Sequence, residues 1–213
     1  MKIRFLNKVV MSSLFASAIL LTGCNETSTE AEVVKDTKDV VVKKEETKVT
    51  YTKHDEVVSS TFKDVAKIAP DGKYMLIIFG TNTDPYSDRL KADVKSSDEL
   101  TSKIKNDLSS YYLKAHENLR HKLFHEGEYM DVDTKTMISI YGVDVTPTLI
   151  FTDKQAKAII VVPGYMPTKQ FIETIKFIES KKWEGKDRKN GEVYQALRDF
   201  YIENGIDVKK KEN

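Results

Sequence analysis

Hydrophobic residues between positions 54 and 183 follow two spacings, one helical and one extended. The first segment places apolar residues at helical intervals from Val57 to Ile68 and stops at the turn residues 70–72. This periodicity predicts an amphipathic helix. Residues 74–79 then form an uninterrupted apolar run between turn signals, which is typical of a strand covered on both faces of a mostly parallel sheet.

The remaining segments continue this alternation. Pro85 suits the first turn of a helix, and Leu90 and Val94 extend the apolar side of that helix. The other predicted elements are, in chain order, a strand at 110–115, a short helix at 134–141, two strands at 148–151 and 158–162 joined by a polar turn at 153–155, and a helix at 169–183. The order after the first helix is therefore strand, helix, strand, helix, hairpin and helix.

The nearly balanced charge of the chain argues against a nucleic-acid partner. The 213 residues include 34 basic and 33 acidic side chains, which leaves a net charge of +1. Such a balance provides no field that would attract a polyanion, so we expect no nucleic-acid partner. Residues 54–183 have the length of one domain that buries its own core.

The first 23 residues have the features of an export signal. A positive start with Lys2 and Arg4 precedes an apolar stretch at 9–21, which is short for a membrane span. The segment closes on Leu21-Thr22-Gly23-Cys24, which resembles the lipobox of bacterial lipoproteins. That resemblance implies a signal peptide at 1–23 and acylation of Cys24, with chains such as palmitate. An ordinary cleaved signal and a short anchor helix are the alternatives.

The lipobox also implies a location. A lipidated Cys24 would make a membrane the first partner of the protein and would anchor it firmly, because several acyl chains hold better than one. The expected place is the cell envelope, on the periplasmic face of a membrane, and the outer membrane in a two-membrane bacterium. The following segment, up to residue 53, contains no Phe, Leu or Trp and predicts a flexible tether, with a small strand at 39–44 as an alternative.

Residues 184–213 form a C-terminal extension. Val193, Leu197, Phe200 and Tyr201 share one stripe and predict an amphipathic helix at 191–204. This helix either covers one side of the domain or offers an apolar face to a partner. A short basic tail follows it.

Three motifs resemble those of the thioredoxin family. Residues 79–87 resemble its active-site segment, residues 141–151 resemble the segment that leads into its cis-proline strand, and residues 163–167 resemble the exit from its last strand. The resemblance covers about 55–182 and implies a cis bond at Thr146-Pro147. It also implies an α/β, thioredoxin-like three-layer fold, in which a central mixed sheet has helices on both faces, plus the added C-terminal helix. The thioredoxin-like domain is expected at 54–183.

Asp84, Pro85, Tyr86 and Ser87 stand where exported members of that family carry Cys-Pro-Tyr-Cys. Neither a carboxylate nor a hydroxyl can form a mixed disulfide. Cys24 is the only cysteine in the chain. The resemblance thus implies a degenerate site with no catalytic residue, no cofactor and no thiol–disulfide oxidoreductase activity. We expect Asp84 to cap the helix that begins at Pro85.

The cis-proline segment implies a binding function instead. In the family, the residue before the proline pairs its main chain with an extended substrate segment, and here Thr146 precedes Pro147. Main-chain pairing requires no thiol. We therefore expect a redox-inactive, membrane-anchored module that holds an extended or unfolded segment of another envelope protein. The alternatives are an enzyme with residual non-thiol or metal-dependent activity and a structural subunit of the envelope.

The histidines are the remaining chemical candidates. His121 and His125 are four residues apart and would share one face of a helix, a spacing that suits zinc or copper. A transition-metal site requires at least three good ligands, and the neighbouring residues supply no obvious third. The segment is therefore expected to be a solvated insertion without metal.

Overall fold

The structure, a computed structural model, describes residues 54–208. Its elements are α1 (Asp55–Thr61), β1 (Lys67–Ile68), β2 (Tyr74–Gly80), α2 (Pro85–Ser96), α3 (Asp98–Ser102), a π-helical turn (Lys103–Asp107), β3 (Leu108–Lys114), β4 (Arg120–His125), β5 (Glu128–Asp133), α4 (Thr134–Tyr141), β6 (Thr148–Thr152), β7 (Ala158–Pro163), α5 (Thr168–Glu179) and α6 (Glu192–Glu203). The predicted export signal, Cys24 and the tether lie outside the described residues. Within 54–208, no helix has both the length and the apolar character needed to cross a bilayer.

The central sheet has four strands in the order β3-β2-β6-β7. β2 runs parallel to β3 and antiparallel to β6, and β6 is antiparallel to β7. The side chains of β2 alternate between two buried clusters: Leu76 and Ile78 face one, whereas Met75, Ile77 and Phe79 face the other. Both faces of the sheet are therefore covered, as the apolar run at 74–79 predicts.

Each face has a different cover. The first cluster is completed by residues of α2, α5 and α6, among them Leu90, Phe171 and Leu197. The second cluster is completed by Met137 of α4 and by Leu123 and Val132 from a second, three-stranded sheet in the order β1-β4-β5. Helices lie on both sides of the mixed sheet, which confirms the expected three-layer arrangement.

The prediction of the first helix is wrong for the second half of that segment. α1 ends at Thr61, and the main chain beyond it pairs with strands instead of continuing the helix: Lys63 N donates to Ser110 O, and Lys122 N donates to Ala66 O. The Asp64 side chain accepts from Ala66 N and stabilises a turn between these two pairings. Tertiary strand pairing therefore overrides the helical spacing of the apolar residues.

The segment around the histidines is a β-hairpin inserted between β3 and α4, and it is not a helix. β4 and β5 are antiparallel, and they are joined by Glu126 and Gly127, whose φ angles are 48° and 93°. Two successive residues of positive φ match the right-handed twist of paired strands, which favours a tight hairpin turn. Most of β5 is exposed, including Glu128, Tyr129 and Asp131.

The C-terminal helix covers one side of the domain, so the first of the two predictions for it is confirmed. Val193, Leu197 and Tyr201 are buried in the core cluster that α5 also lines. The Tyr194 hydroxyl donates to Val161 O on the outer strand β7. α5 ends at Glu179, earlier than the predicted residue 183, and Lys181 takes a positive φ of 60° just beyond it.

Candidate functional site

Asp84 caps α2, as expected. Its Oδ1 accepts from the main-chain N–H of Tyr86 at 2.8 Å and of Ser87 at 3.3 Å. These amides have no partner inside the helix, so the carboxylate satisfies them and also lies at the positive end of the helix dipole. Pro85 occupies the first position of the helix, where its missing N–H costs nothing.

The other oxygen of Asp84 joins the helix to the cis-proline loop. Asp84 Oδ2 accepts from Thr146 Oγ1 at 2.9 Å and from the Ser87 hydroxyl. The bond between Thr146 and Pro147 is cis, which confirms that prediction. With two bonds to each oxygen, the roughly four acceptor positions of the carboxylate are all used. Asp84 is thus a structural connector with no lone pair left for a metal or a substrate proton.

These bonds also set the charge state of Asp84. Partial burial raises the pKa of its carboxyl, but hydrogen bonds from Ser87, from Thr146 and from the two main-chain amides outweigh burial and hold the pKa below its ordinary value of 3.8. The carboxylate is therefore ionised at neutral pH. An ionised acceptor gives stronger hydrogen bonds than a neutral one.

Ser87 is fully buried beneath this connector. Its Oγ accepts from Thr81 N at 3.1 Å while its hydroxyl donates to Asp84. The Tyr112 hydroxyl and Ser87 Oγ both lie close to Gly80. A Cβ atom added to Gly80 would be 2.0 Å from the Tyr112 hydroxyl and 3.1 Å from Ser87 Oγ. Glycine is required at position 80 because any larger residue would collide with this tyrosine. Burial raises the pKa of Tyr112, so its hydroxyl stays protonated.

Exposed apolar groups surround the junction of Asp84 and Thr146. Tyr86 is 58% exposed and Val145 is 49% exposed. The Tyr165 ring lies 6.5 Å from that of Tyr86, and Gly164, its neighbour in the chain, donates its N–H to Pro147 O. Tyr86, Val145, Thr146 and Tyr165 are called the cis-proline surface below.

Thr146 has unused main-chain groups on this surface. Its side chain bonds to Asp84, but within residues 54–208 neither its N–H nor its C=O makes a hydrogen bond to another protein group. Half-exposed main-chain groups of this kind can pair with an extended peptide. Of the two predicted peptide-binding residues, Pro147 is buried and Thr146 is half-buried.

A buried lysine that was not predicted from the sequence lies on α2, the helix that Asp84 caps. The Lys91 side chain is 1% exposed and pairs with Asp55 at 3.0 Å and with Asp88 at 3.1 Å. Asn82 and Lys114 also bond to Asp55. The sequence does carry a signal for this burial, since position 91 follows Ser87 by four residues and precedes Val94 by three.

The two histidines are not placed to share a metal ion. Both lie on β4, where residues four apart face the same side but are separated by about 13 Å. His121 is buried, with ring nitrogens at 2.7 Å from Val65 O and 2.9 Å from Thr134 Oγ1, whereas His125 is exposed. No cluster of three His, Cys, Asp or Glu side chains suited to a metal ion occurs among residues 54–208.

The mixed sheet, the cis-proline loop and the adjoining helix N-terminus define a protein of the thioredoxin-fold class. The chain belongs to the thioredoxin-like domain family, whose pattern matches residues 61–179. A thioredoxin-fold protein from Helicobacter pylori is 32% identical, with a TM-score of 0.64, and the match covers 68% of this chain and 92% of that one.

Other solved structures are more distant. A thioredoxin from Thermus thermophilus is 15% identical, with a TM-score of 0.40 and coverage of 55% and 90% of the two chains. An exposed lipoprotein thioredoxin from Streptococcus pneumoniae is 21% identical, with a TM-score of 0.35 and coverage of 49% and 84%. A comparison with curated proteins gives no match.

Proposed function

We propose that this protein is a redox-inactive thioredoxin-fold binding module of the cell envelope, anchored through a lipidated Cys24. It holds an extended or unfolded segment of another envelope protein on the cis-proline surface. The observation that carries the proposal is the combination of unused main-chain groups on Thr146 with a neighbouring Asp84 carboxylate whose acceptor positions are all occupied. The site can bind a chain but lacks a reactive group.

The absence of thiol chemistry follows from the residues. Disulfide exchange requires an attacking thiolate and a second thiol that resolves the mixed disulfide. Asp84 and Ser87 provide neither, and the single cysteine of the chain lies 60 positions before Asp84. Ser87 is also a poor candidate for a nucleophile, because its hydroxyl is buried and donates to a carboxylate that already accepts three other bonds.

The chemistry of the surface favours an extended segment with apolar side chains. One strand residue of a partner would exchange main-chain bonds with Thr146, while its neighbours would contact Tyr86 and Val145. Aromatic side chains bury a large apolar area when a partner binds, so Tyr86 is expected to carry much of the affinity.

Capture experiments with matched variants test the proposal. The lipidated protein is crosslinked in cells and purified, together with the variants Thr146→Arg, Thr146→Val and Ser96→Arg. Thr146→Arg blocks the surface, whereas Thr146→Val keeps its shape and its main-chain groups. Ser96 lies at the far end of α2, about 18 Å from Asp84, so Ser96→Arg adds the same charge away from the surface.

The expected result is a defined set of envelope proteins that persists with Thr146→Val and Ser96→Arg and disappears with Thr146→Arg. Partners that survive Thr146→Arg would contradict a role for the cis-proline surface. A second experiment addresses the chemistry: the reduction of insulin disulfides is expected only for the Asp84→Cys, Ser87→Cys double variant. Activity of the unmodified chain would refute the redox-inactive assignment.

A further inference from the structure

A basic cleft of about 500 Å³ lies at the end of β6 opposite to the cis-proline loop, between the β6–β7 turn and the connection from α5 to α6. Four positive side chains line it: Lys157 from the turn, and Lys186, Arg188 and Lys189 from the connection. We propose that this cleft is a docking surface for a bilayer that contains anionic phospholipid. This proposal is independent of the cis-proline surface.

The basic side chains of the cleft differ in their contacts from several other lysines of the domain. Lys95, for example, pairs with Glu56, and Lys182 pairs with Glu203. Within residues 54–208, none of the four cleft residues forms an ion pair. Lysines 157, 186 and 189 are exposed and Arg188 is half-buried, so their charges are available to an outside anion.

Two acidic residues also line the cleft and lower its net positive charge, and both accept hydrogen bonds from residues of their own loops. Asp153 Oδ1 accepts from Gln155 N at 3.0 Å and from Lys157 N at 2.8 Å. Asp187 Oδ1 accepts from Lys189 N at 2.7 Å, and its Oδ2 accepts from the Asn190 side chain at 2.8 Å. These carboxylates order the two loops that carry the basic side chains and do not bind those side chains themselves.

The composition of the cleft favours a membrane surface over a single small anion. Three of the four charges are lysines, which act as flexible point charges and suit a field spread over many headgroups, whereas bidentate recognition of one phosphate favours arginine. Trp183 forms part of the wall, with its Nε1 bonded to Ile178 O and its ring at 6.3 Å from that of Tyr74. Tryptophan is the residue type that prefers the boundary between headgroups and acyl chains.

The fluorescence of Trp183 can be used to test the proposal, because the chain contains one tryptophan. The unacylated chain 25–213 is used, since the buried clusters are built within residues 54–208. It is titrated with vesicles of phosphatidylcholine alone and with vesicles that contain one quarter phosphatidylglycerol, each with and without brominated acyl chains. We expect Trp183 to be quenched by brominated lipid only in the anionic vesicles. Raising the salt from about 0.1 M to 1 M should abolish this quenching, because the screening length falls from about 10 Å to about 3 Å.

Two matched variants separate the cleft from general positive charge. Each basic residue near an anionic surface contributes about a fivefold change in partitioning, so replacing Lys186, Arg188 and Lys189 with Gln should weaken binding by about a hundredfold. Replacing Lys209, Lys210 and Lys211 with Gln removes the same charge from the tail, and Trp183 quenching should persist. Circular dichroism of both variants checks that they are folded.

Four outcomes would overturn the proposal. The first three are equal loss of binding in the two triple variants, quenching that is the same with neutral vesicles, and a response of Trp183 to inorganic phosphate or glycerophosphate that matches its response to vesicles. The third outcome would identify a site for small phosphates instead. A folded protein that binds no anionic vesicle would also refute the proposal, and would leave an acidic protein as the occupant.

Discussion

The hydrogen bond between Thr146 and Asp84 joins segments that are 62 residues apart in the chain, and its strength can be measured. We predict that a double-mutant cycle of Asp84→Ala and Thr146→Val reports a coupling free energy of about 1.5 kcal/mol at neutral pH. Hydrogen bonds to charged groups contribute about 1.5–3 kcal/mol, and the partial exposure of Asp84 favours the lower end.

The single variants should differ in cost. Thr146→Val loses only the bond to Asp84, so it should destabilise the domain by about 1.5 kcal/mol. Asp84→Ala also removes the helix cap, worth about 0.5–2 kcal/mol, and leaves the buried Ser87 hydroxyl without its acceptor. Its total cost should be about 3–4 kcal/mol.

Urea unfolding of the unacylated chain and its three variants gives these values from midpoints and slopes. The control cycle combines Thr146→Val with Ser97→Ala, which removes the cap of α3 without touching the cis-proline loop. Its coupling should be zero within about 0.5 kcal/mol, the usual limit of additivity for separate sites. An equally small coupling for Asp84 and Thr146 would refute the view that this bond connects the two segments.

The same cycle has a defined pH dependence. The folded pKa of Asp84 lies below the unfolded value, so its contribution is fully present above pH 3.8 and is lost as the pH falls through the lower folded pKa. The coupling should therefore be equal at pH 7 and pH 5 and decline only in stronger acid. In an Asp84→Asn background the cost of Thr146→Val should not change with pH in this way, because the titrating carboxyl is absent, and a decline of the Asp84–Thr146 coupling already between pH 7 and pH 5 would contradict the assignment.

Further substitutions test other features of the domain. Gly80→Ala should destabilise the domain by about 1–3 kcal/mol in urea unfolding, because the new Cβ would lie 2.0 Å from the Tyr112 hydroxyl, and Tyr112→Phe should restore part of the loss. Lys91→Ala should cost about 3–5 kcal/mol because two carboxylates lose their buried partner, whereas a cost below about 1 kcal/mol would show that the network is solvated. His121→Ala should lower the unfolding midpoint and His125→Ala should not, and calorimetric titration with zinc should give no heat that His121→Ala removes.

Hydrophobic spacing predicted the elements whose apolar pattern agrees with their conformation in the fold. The strand at 74–79 and the helix at 134–141 agree with β2 and α4. The same reasoning failed where distant pairing decides the conformation. Residues 62–68 have helical spacing, but their main chain bonds to β3 and β4, which a local pattern cannot reveal. The hairpin at 120–133 was missed because its exposed strand β5 lacks an apolar run, although Glu126-Gly127 is a turn signal.

The site was predictable in its local parts only. An Asp before a Pro indicates a helix cap, and both residues behave accordingly. The second function of Asp84, its bond to Thr146, depends on two segments that are adjacent only in the fold. The burial of Lys91 was missed for a related reason. A lysine is rarely buried unless it is paired, and its partner Asp55 lies 36 residues earlier in the chain.

The outer strands β7 and β5 are protected from self-association in different ways. On β7, α6 provides a physical cover, with the Tyr194 hydroxyl bonded to a carbonyl of that edge. On β5, Glu128, Asp131 and Asp133 place like charges along the strand, which would repel a second copy. Proteolytic loss of α6 would therefore leave a sheet edge without such charges, and aggregation would then proceed through β7 rather than β5.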